Sequence, residues 1–207
     1  MAARVVHLIV EGDRALRPGF SQLFGRVLGP LCRQHNTRLQ IETGGSNSAT
    51  FELFVDALRQ NKDCLLLIDA DELLNERATA KQHLQRVHGW PDLARQREEN
   101  LHLMVAITES WLVCDPTAWH KVYRKGFDAG ALPAAQNIET VDKQRVMESI
   151  KRSVRDTSAG KYGKTTHAVA LLEQLDHEVV GRRAPHFRLL VDELARRIAA
   201  GGGGLGG

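Results

Sequence analysis

"CLLLIDADEL", residues 64–73, decides the fold. Its first five positions are apolar or Cys, too short and too uniform for a surface helix, and they read as a strand covered on both faces. Asp69, Asp71 and Glu72 then put three carboxylates within four positions. Two such charges about 4 Å apart repel by roughly 4 kcal/mol at an effective dielectric near 20. Either these groups fan out into water as helix caps, or something positive sits among them.

Working outward, the pattern of an apolar strand ended by acid recurs. "RVVHLIV" (4–10) is a buried strand closed by Glu11-Gly12, and "LHLMVAI" (101–107) is another closed by Thr108-Glu109. "RLQIET" (38–43) alternates and reads as a shorter strand. Between them, Phe20, Leu23, Phe24, Val27, Leu28, Leu31 and Cys32 keep the i, i+3, i+4 rhythm of an amphipathic helix. "GGSNS" (44–48) is a turn offering Ser or Asn as a cap to a second helix marked by Phe51, Phe54, Val55 and Leu58. A polar segment from about 75 to 88 is expected to be helical, with Glu72 read as a first-turn residue. Strands and helices alternate, which predicts a parallel sheet flanked by helices. The rest reads as helical: Asp115-Pro116 is a cap with proline at the first position, Val146, Ile150 and Val154 share a stripe beside Met147, and Phe187, Leu190, Val191, Leu194 and Ile198 mark a final helix.

Bulk properties fit one α/β domain over 1–200, with a sheet core at about 4–125, a helical C-terminal part at about 126–200 and a flexible Gly-rich tail at 201–207. A chain of 207 residues that is 43% hydrophobic can bury one full core. No apolar run approaches the roughly 20 residues of a membrane-spanning helix, and the N-terminus has no apolar signal-peptide stretch before a cleavage-like site. The three cysteines are widely spaced with no Cys-x-x-Cys pair, which argues against a disulfide frame or a zinc ribbon and for a reducing cytoplasm. Net charge is only +3, but residues 143–200 hold 12 Lys/Arg against 7 Asp/Glu. Such a bias suits either a polyanion-binding surface or ordinary solvated helix faces.

Ligands of an open parallel sheet sit beyond the carboxyl ends of its strands. Glu11, Asp69, Asp71 and Glu109 all fall there. If extended geometry lasts two residues past the third strand, alternation puts Asp69 and Asp71 on the same side. Together they supply hard oxygen ligands for Mg²⁺ or Mn²⁺. Any one of them alone would serve equally as a helix cap.

These residues resemble a family. "LIVEG" (8–12) followed by "LLLIDAD" (65–71) is similar to the TOPRIM-like fold of topoisomerases, primases and some nucleases. More closely, the ordered set "VEG" (10–12), "DAD" (69–71), "LMVAITESW" (103–111), "KYGKTTH" (161–167) and "PHFRLL" (185–190) resembles a bacterial TOPRIM-like family designated domain of unknown function 4276. The resemblance spans about residues 5–195. It implies that Glu11, Asp69 and Asp71 match the acids of a TOPRIM Mg²⁺ site. The only tyrosines are Tyr123 and Tyr162 and no second domain fits, which argues against phosphotyrosine strand transfer and primer synthesis.

Other motifs carry less. "GKYGKT" (160–165) is not a Walker A loop, because its glycines are three residues apart rather than five. Lys161 and Lys164 there are candidate phosphate contacts, or else members of a solvated loop. His167 and His186 stand alone, and no His-Glu-x-x-His or Gly-x-Ser-x-Gly occurs. Trp90, Trp111 and Trp119 read as packing anchors. The expected function is metal-dependent phosphodiester hydrolysis of nucleic acid. Glu11, Asp69 and Asp71 would hold the ion with Glu109 as a fourth acid, Glu11 would alternatively move a proton, and Lys164 would neutralise the phosphate with Lys161. The alternative is a non-catalytic module that binds a metal or nucleotide, or partners a separate ATPase.

Overall fold

The computed structural model describes residues 3–75 and 77–200; the Gly-rich tail lies outside the described residues. Four strands, β1 (Arg4–Val10), β2 (Thr37–Thr43), β3 (Asp63–Asp69) and β4 (Leu101–Met104), form one all-parallel sheet in the order β2-β1-β3-β4. Helices α1 (Arg17–Gln34), α2 (Asn47–Arg59) and α3 (Ala80–His88) connect them. After the sheet come α4 (Thr108–Leu112), α5 (Pro116–Tyr123), α6 (Lys143–Ser153), α7 (Thr166–Gln174), α8 (His177–Arg183) and α9 (Pro185–Ala200). This is an α/β fold with a helical C-terminal part.

Alternation along the central strands sorts the core into two layers. Val6, Leu8 and Val10 of β1 with Leu65 and Leu67 of β3 face a layer built by α1 and the C-terminal helices. Ile9, Cys64, Leu66 and Ile68 face the other, filled by α2, α3 and the end of β4. Both faces of β3 are therefore dry, which is why its sequence is uniformly apolar. Trp111 and Trp119 are fully buried, with Trp111 edge-on to Phe187 at 4.9 Å. Trp90 stacks on Phe51 at 4.3 Å. All three are anchors.

Two boundaries differ from the sequence reading. The strand expected over 101–107 stops at Met104, and the chain then turns away from the line of β4. The turned segment stays attached to the end of β3: the amides of Ala70 and Asp71 donate to Met104 O at 3.0 Å and Ala106 O at 2.8 Å. The helix expected from about 75 begins only at Ala80, where Thr79 and Gln82 close a capping box. Glu72 is thus not a helical residue. Its exposed carboxylate accepts from Arg86 at 2.9 Å.

The C-terminal helices are tied to one another and to the chain that follows the sheet by part-buried polar contacts as well as by apolar packing. Asp115 caps α5, and its second oxygen accepts the Asp176 amide at 2.9 Å, joining α5 to α8. Arg183 at the end of α8 donates to the carbonyls of Val113, Cys114, Pro133 and Ala135 at 2.6–3.2 Å. Among the described residues no helix is long and apolar enough to cross a membrane, and all three cysteines are free.

Arg183→Ala strands four carbonyls that only a planar fork reaches together. It is expected to destabilise the fold by about 2–4 kcal/mol, and Arg183→Lys should restore less than half of that. Urea denaturation reads this as a lower midpoint at unchanged slope.

Candidate functional site

The site is assembled from the ends of β1 and β3 and the start of α4. Glu11 directly follows β1, and its amide donates to Leu67 O at 2.8 Å, carrying the β1–β3 ladder one residue further. The next residue, Gly12, exchanges two backbone hydrogen bonds with Gly45 at 3.0 and 3.1 Å. Its φ of +135° is one that side-chain-bearing residues avoid, and a Cβ there would lie 2.9 Å from Leu16 Cδ1. That bridge fixes where the Glu11 side chain starts.

From there Glu11 reaches across to β3, where its Oε2 accepts the Asp69 amide at 3.0 Å. Asp69 is the last residue of β3, and its Oδ1 accepts from both the amide (2.8 Å) and the hydroxyl (3.0 Å) of Thr108. Asp69 therefore does cap a helix, but a remote one, α4. Asp69 Oδ2 and Glu11 Oε1 accept no hydrogen bond from the described residues. Glu109 follows Thr108 and is buried. Its Oε1 accepts from the Tyr162 hydroxyl at 3.2 Å and lies 3.6 Å from Lys164 Nζ.

Asp71 arrives by a different route from the one expected. Extended geometry does not persist past Asp69: Asp71 sits at φ +61°, the left-handed region that Asp tolerates better than most residues. Capture of its amide by Ala106 turns the chain there. Its half-buried carboxylate lies at the rim, 3.2 Å from Lys143 Nζ at the start of α6. Lys161, by contrast, is exposed and lines a separate recess beside Tyr162. His167 accepts the Gly163 amide at 3.0 Å, which shapes the lysine loop, and His186 pairs with buried Glu139 at 2.7 Å near the start of α9. Lys143, Tyr162 and Thr108 were missed as site residues. The signal for Tyr162 was an aromatic residue inside a charged loop; Lys143 gave none, because its partner is 72 positions away.

Electrostatics bind the acids into one unit. Burial pushes the Glu11 carboxyl up to about 7; the Asp69 amide opposes the rise, Asp71 adds to it and Lys164 opposes it. Asp69 is raised well above the usual carboxylate range, first by burial and then by the charges of Glu11 and Glu109, despite the two Thr108 donors. Burial and the Glu109 carboxylate raise the Tyr162 phenol, so it stays a donor at neutral pH. Among the described residues no three His, Cys, Asp or Glu side chains form a ready-made metal cage. What stands at the sheet edge is a set of hard oxygens with excess negative charge. That chemistry fits a hydrated Mg²⁺, which typically takes one or two carboxylates and keeps several waters. Glu11 and Asp69 are the pair best placed to hold it, with Asp71 and Glu109 beside them.

The model of a family described as a domain of unknown function (DUF4276) matches residues 14–195, which takes in Asp69, Asp71, Glu109 and Lys164 and begins just past Glu11. No curated protein and no solved structure matches the chain.

A raised carboxyl favours the fold when protonated. The stability Glu11 contributes is full below its ordinary value of 4.5 and is lost as pH rises through about 7. Gln at this position keeps an acceptor for the Asp69 amide without the charge. In EDTA at pH 8, Glu11→Gln is expected to melt higher than the parent by about 2–4 °C, corresponding to about 1 kcal/mol after allowance for solvent screening. The gap should close near pH 4.5. Parallel melting curves for the two proteins across that range would contradict the electrostatic assignment.

Proposed function

The chain belongs to the DUF4276 family, and we propose that it hydrolyses phosphodiester bonds of nucleic acid with Mg²⁺ or Mn²⁺ held at the carboxyl edge of its sheet. One observation carries this reading: Asp69, at the end of β3, lies beside the carboxylates of Glu11 and Glu109, and burial first, then those two charges, raise its affinity for protons. A group held that way at neutral pH gains from a nearby cation. The sequence resemblance to TOPRIM-like acids at Glu11, Asp69 and Asp71 supports the same choice.

When bound, the ion supplies a Lewis acid that polarises the phosphate and lowers the pKa of an attacking water. The protein's own groups have separable tasks. Thr108 holds one oxygen of Asp69 with two donors, which leaves the other free to take a ligand. Glu11 would hold the ion beside Asp69; if the ion rests on Asp69 alone, Glu11, whose carboxyl burial pushes up to about 7, is instead matched to take or return a proton at neutral pH. Tyr162 orients Glu109. Lys164, exposed and 3.6 Å from Glu109, is within reach of the acids and neutralises charge on the phosphate as a point cation.

A second reading is favoured by the two lysine contacts. Lys143 on Asp71 and Lys164 on Glu109 already offset part of the negative charge. On this reading the chain binds a metal or nucleotide without hydrolysing anything, as a partner to a separate ATPase.

The two readings separate on purified protein incubated with Mg²⁺ or Mn²⁺ and single- and double-stranded DNA and RNA. The first expects cleavage that Asp69→Asn lowers by more than about 100-fold, and Thr108→Val, which loosens Asp69, by about 10-fold. Equal cleavage by parent and Asp69→Asn removes the phosphodiesterase reading. Metal binding with no cleavage of any substrate selects the second.

A further inference from the structure

A recess of about 400 Å³ opens between α6 and the loop that leads to α7. Met147, Ile150, Val154 and the ring of Tyr162 wall it, and Lys151 and Lys161 stand among them. The size suits one small aromatic group with its substituents, and it is far too small for a duplex. Tyr162 belongs to both places: its hydroxyl donates to Glu109 in the acid cluster at 3.2 Å, while its ring lines the recess. The length of one phenol thus separates an acidic, phosphate-directed site from an apolar slot. A nucleotide has the same two-part chemistry, an anionic phosphate joined through a sugar to a flat aromatic base.

Charge points to the same occupant. Residues 143–164 carry seven Lys/Arg against two Asp/Glu, whereas residues 165–200 carry five of each. The basic excess of the C-terminal half therefore falls wholly on the segment that builds the recess. Lys143, Lys164 and Arg155 have carboxylate partners. Arg145, Lys151, Arg152 and Lys161 have none within 4 Å among the described residues. Of these, Lys151 and Lys161 line the recess itself, with Glu148 the one acid there among the described residues, and apolar walls flanked by these two lysines fit an anion that also presents a stackable face.

We propose that this recess binds a nucleobase of an unpaired strand, next to the phosphate at the acid cluster. The substrate class comes from the phosphodiesterase reading above, and the recess narrows it to nucleic acid whose bases are free of pairing. A duplex keeps its bases stacked inside and offers the recess nothing. DNA and RNA share the chemistry invoked.

The test is fluorescence anisotropy in EDTA, where nothing is cleaved. The probes are labelled oligothymidylate, oligouridylate, an abasic strand and a blunt duplex, all of one length. Base insertion predicts that oligothymidylate, oligouridylate or both bind about 10-fold or more tightly than the abasic strand and the duplex. Met147→Trp, which fills the recess, should erase that preference while leaving duplex affinity as it was. Equal affinity for the abasic and base-bearing strands overturns the proposal with no variant needed, as does an unchanged preference in folded Met147→Trp. Adding Mg²⁺ separates the two claims: base-selective binding without cleavage retires the phosphodiesterase reading alone, and cleavage without base-selective binding retires the recess alone.

Discussion

The contact on which the site depends is the one between the Glu11 carboxylate and the Asp69 amide, 3.0 Å long. It joins the ends of two neighbouring parallel strands by a side chain at the point where their backbone ladder runs out. One carboxylate is thereby pulled against the residue that bears the next. Asp69 has little freedom to move away, because Thr108 holds its other side with two donors. Repulsion between these acids is built into the backbone geometry. The fold bears it through the burial of β3, whose two apolar faces supply the stability that the charged edge spends.

The C-terminal helices complete the edge from outside the sheet. Lys143 enters from α6, and Tyr162 and Lys164 from the loop before α7. Lys143 reaches Asp71, whereas Tyr162 and Lys164 both reach Glu109. The acids lie on the short connections of the α/β core, while the cations lie on the helical part packed against it. Arg183 and Asp115 set how the last helices sit against the chain leaving the sheet, so they shape the rim without touching it.

Much of this was legible in the sequence because local pattern and tertiary role agree there. The uniform apolar run of β3 is what burial on both faces demands, and the heptad-like spacing in α1 reports its single buried stripe. The positions of Glu11 and Asp69 followed from where β1 and β3 end, whereas Glu109, read as the close of a strand, lies in α4, five residues past the end of β4. The exceptions have a common cause, which is long-range capture of backbone. Asp71 was expected to continue an extended strand, but Ala106 takes its amide and turns it left-handed. β4 was expected to run through Ile107, but the same exchange with the end of β3 draws the chain aside after Met104. The late start of α3 was readable in principle from Thr79 and Gln82, a capping pair at the right spacing. Lys143 was not readable, since nothing near it hints at a carboxylate from β3.

Proton release on metal binding addresses the central claim most directly. Metal-free protein titrated calorimetrically with Mg²⁺ or Mn²⁺ at neutral pH, in buffers of different ionisation enthalpy, counts the protons that leave. Because Glu11 and Asp69 are held above the usual carboxylate range, the account predicts saturable binding with net proton release that disappears in Asp69→Asn. Absence of binding, or binding that is proton-neutral and unaffected by that substitution, would contradict it.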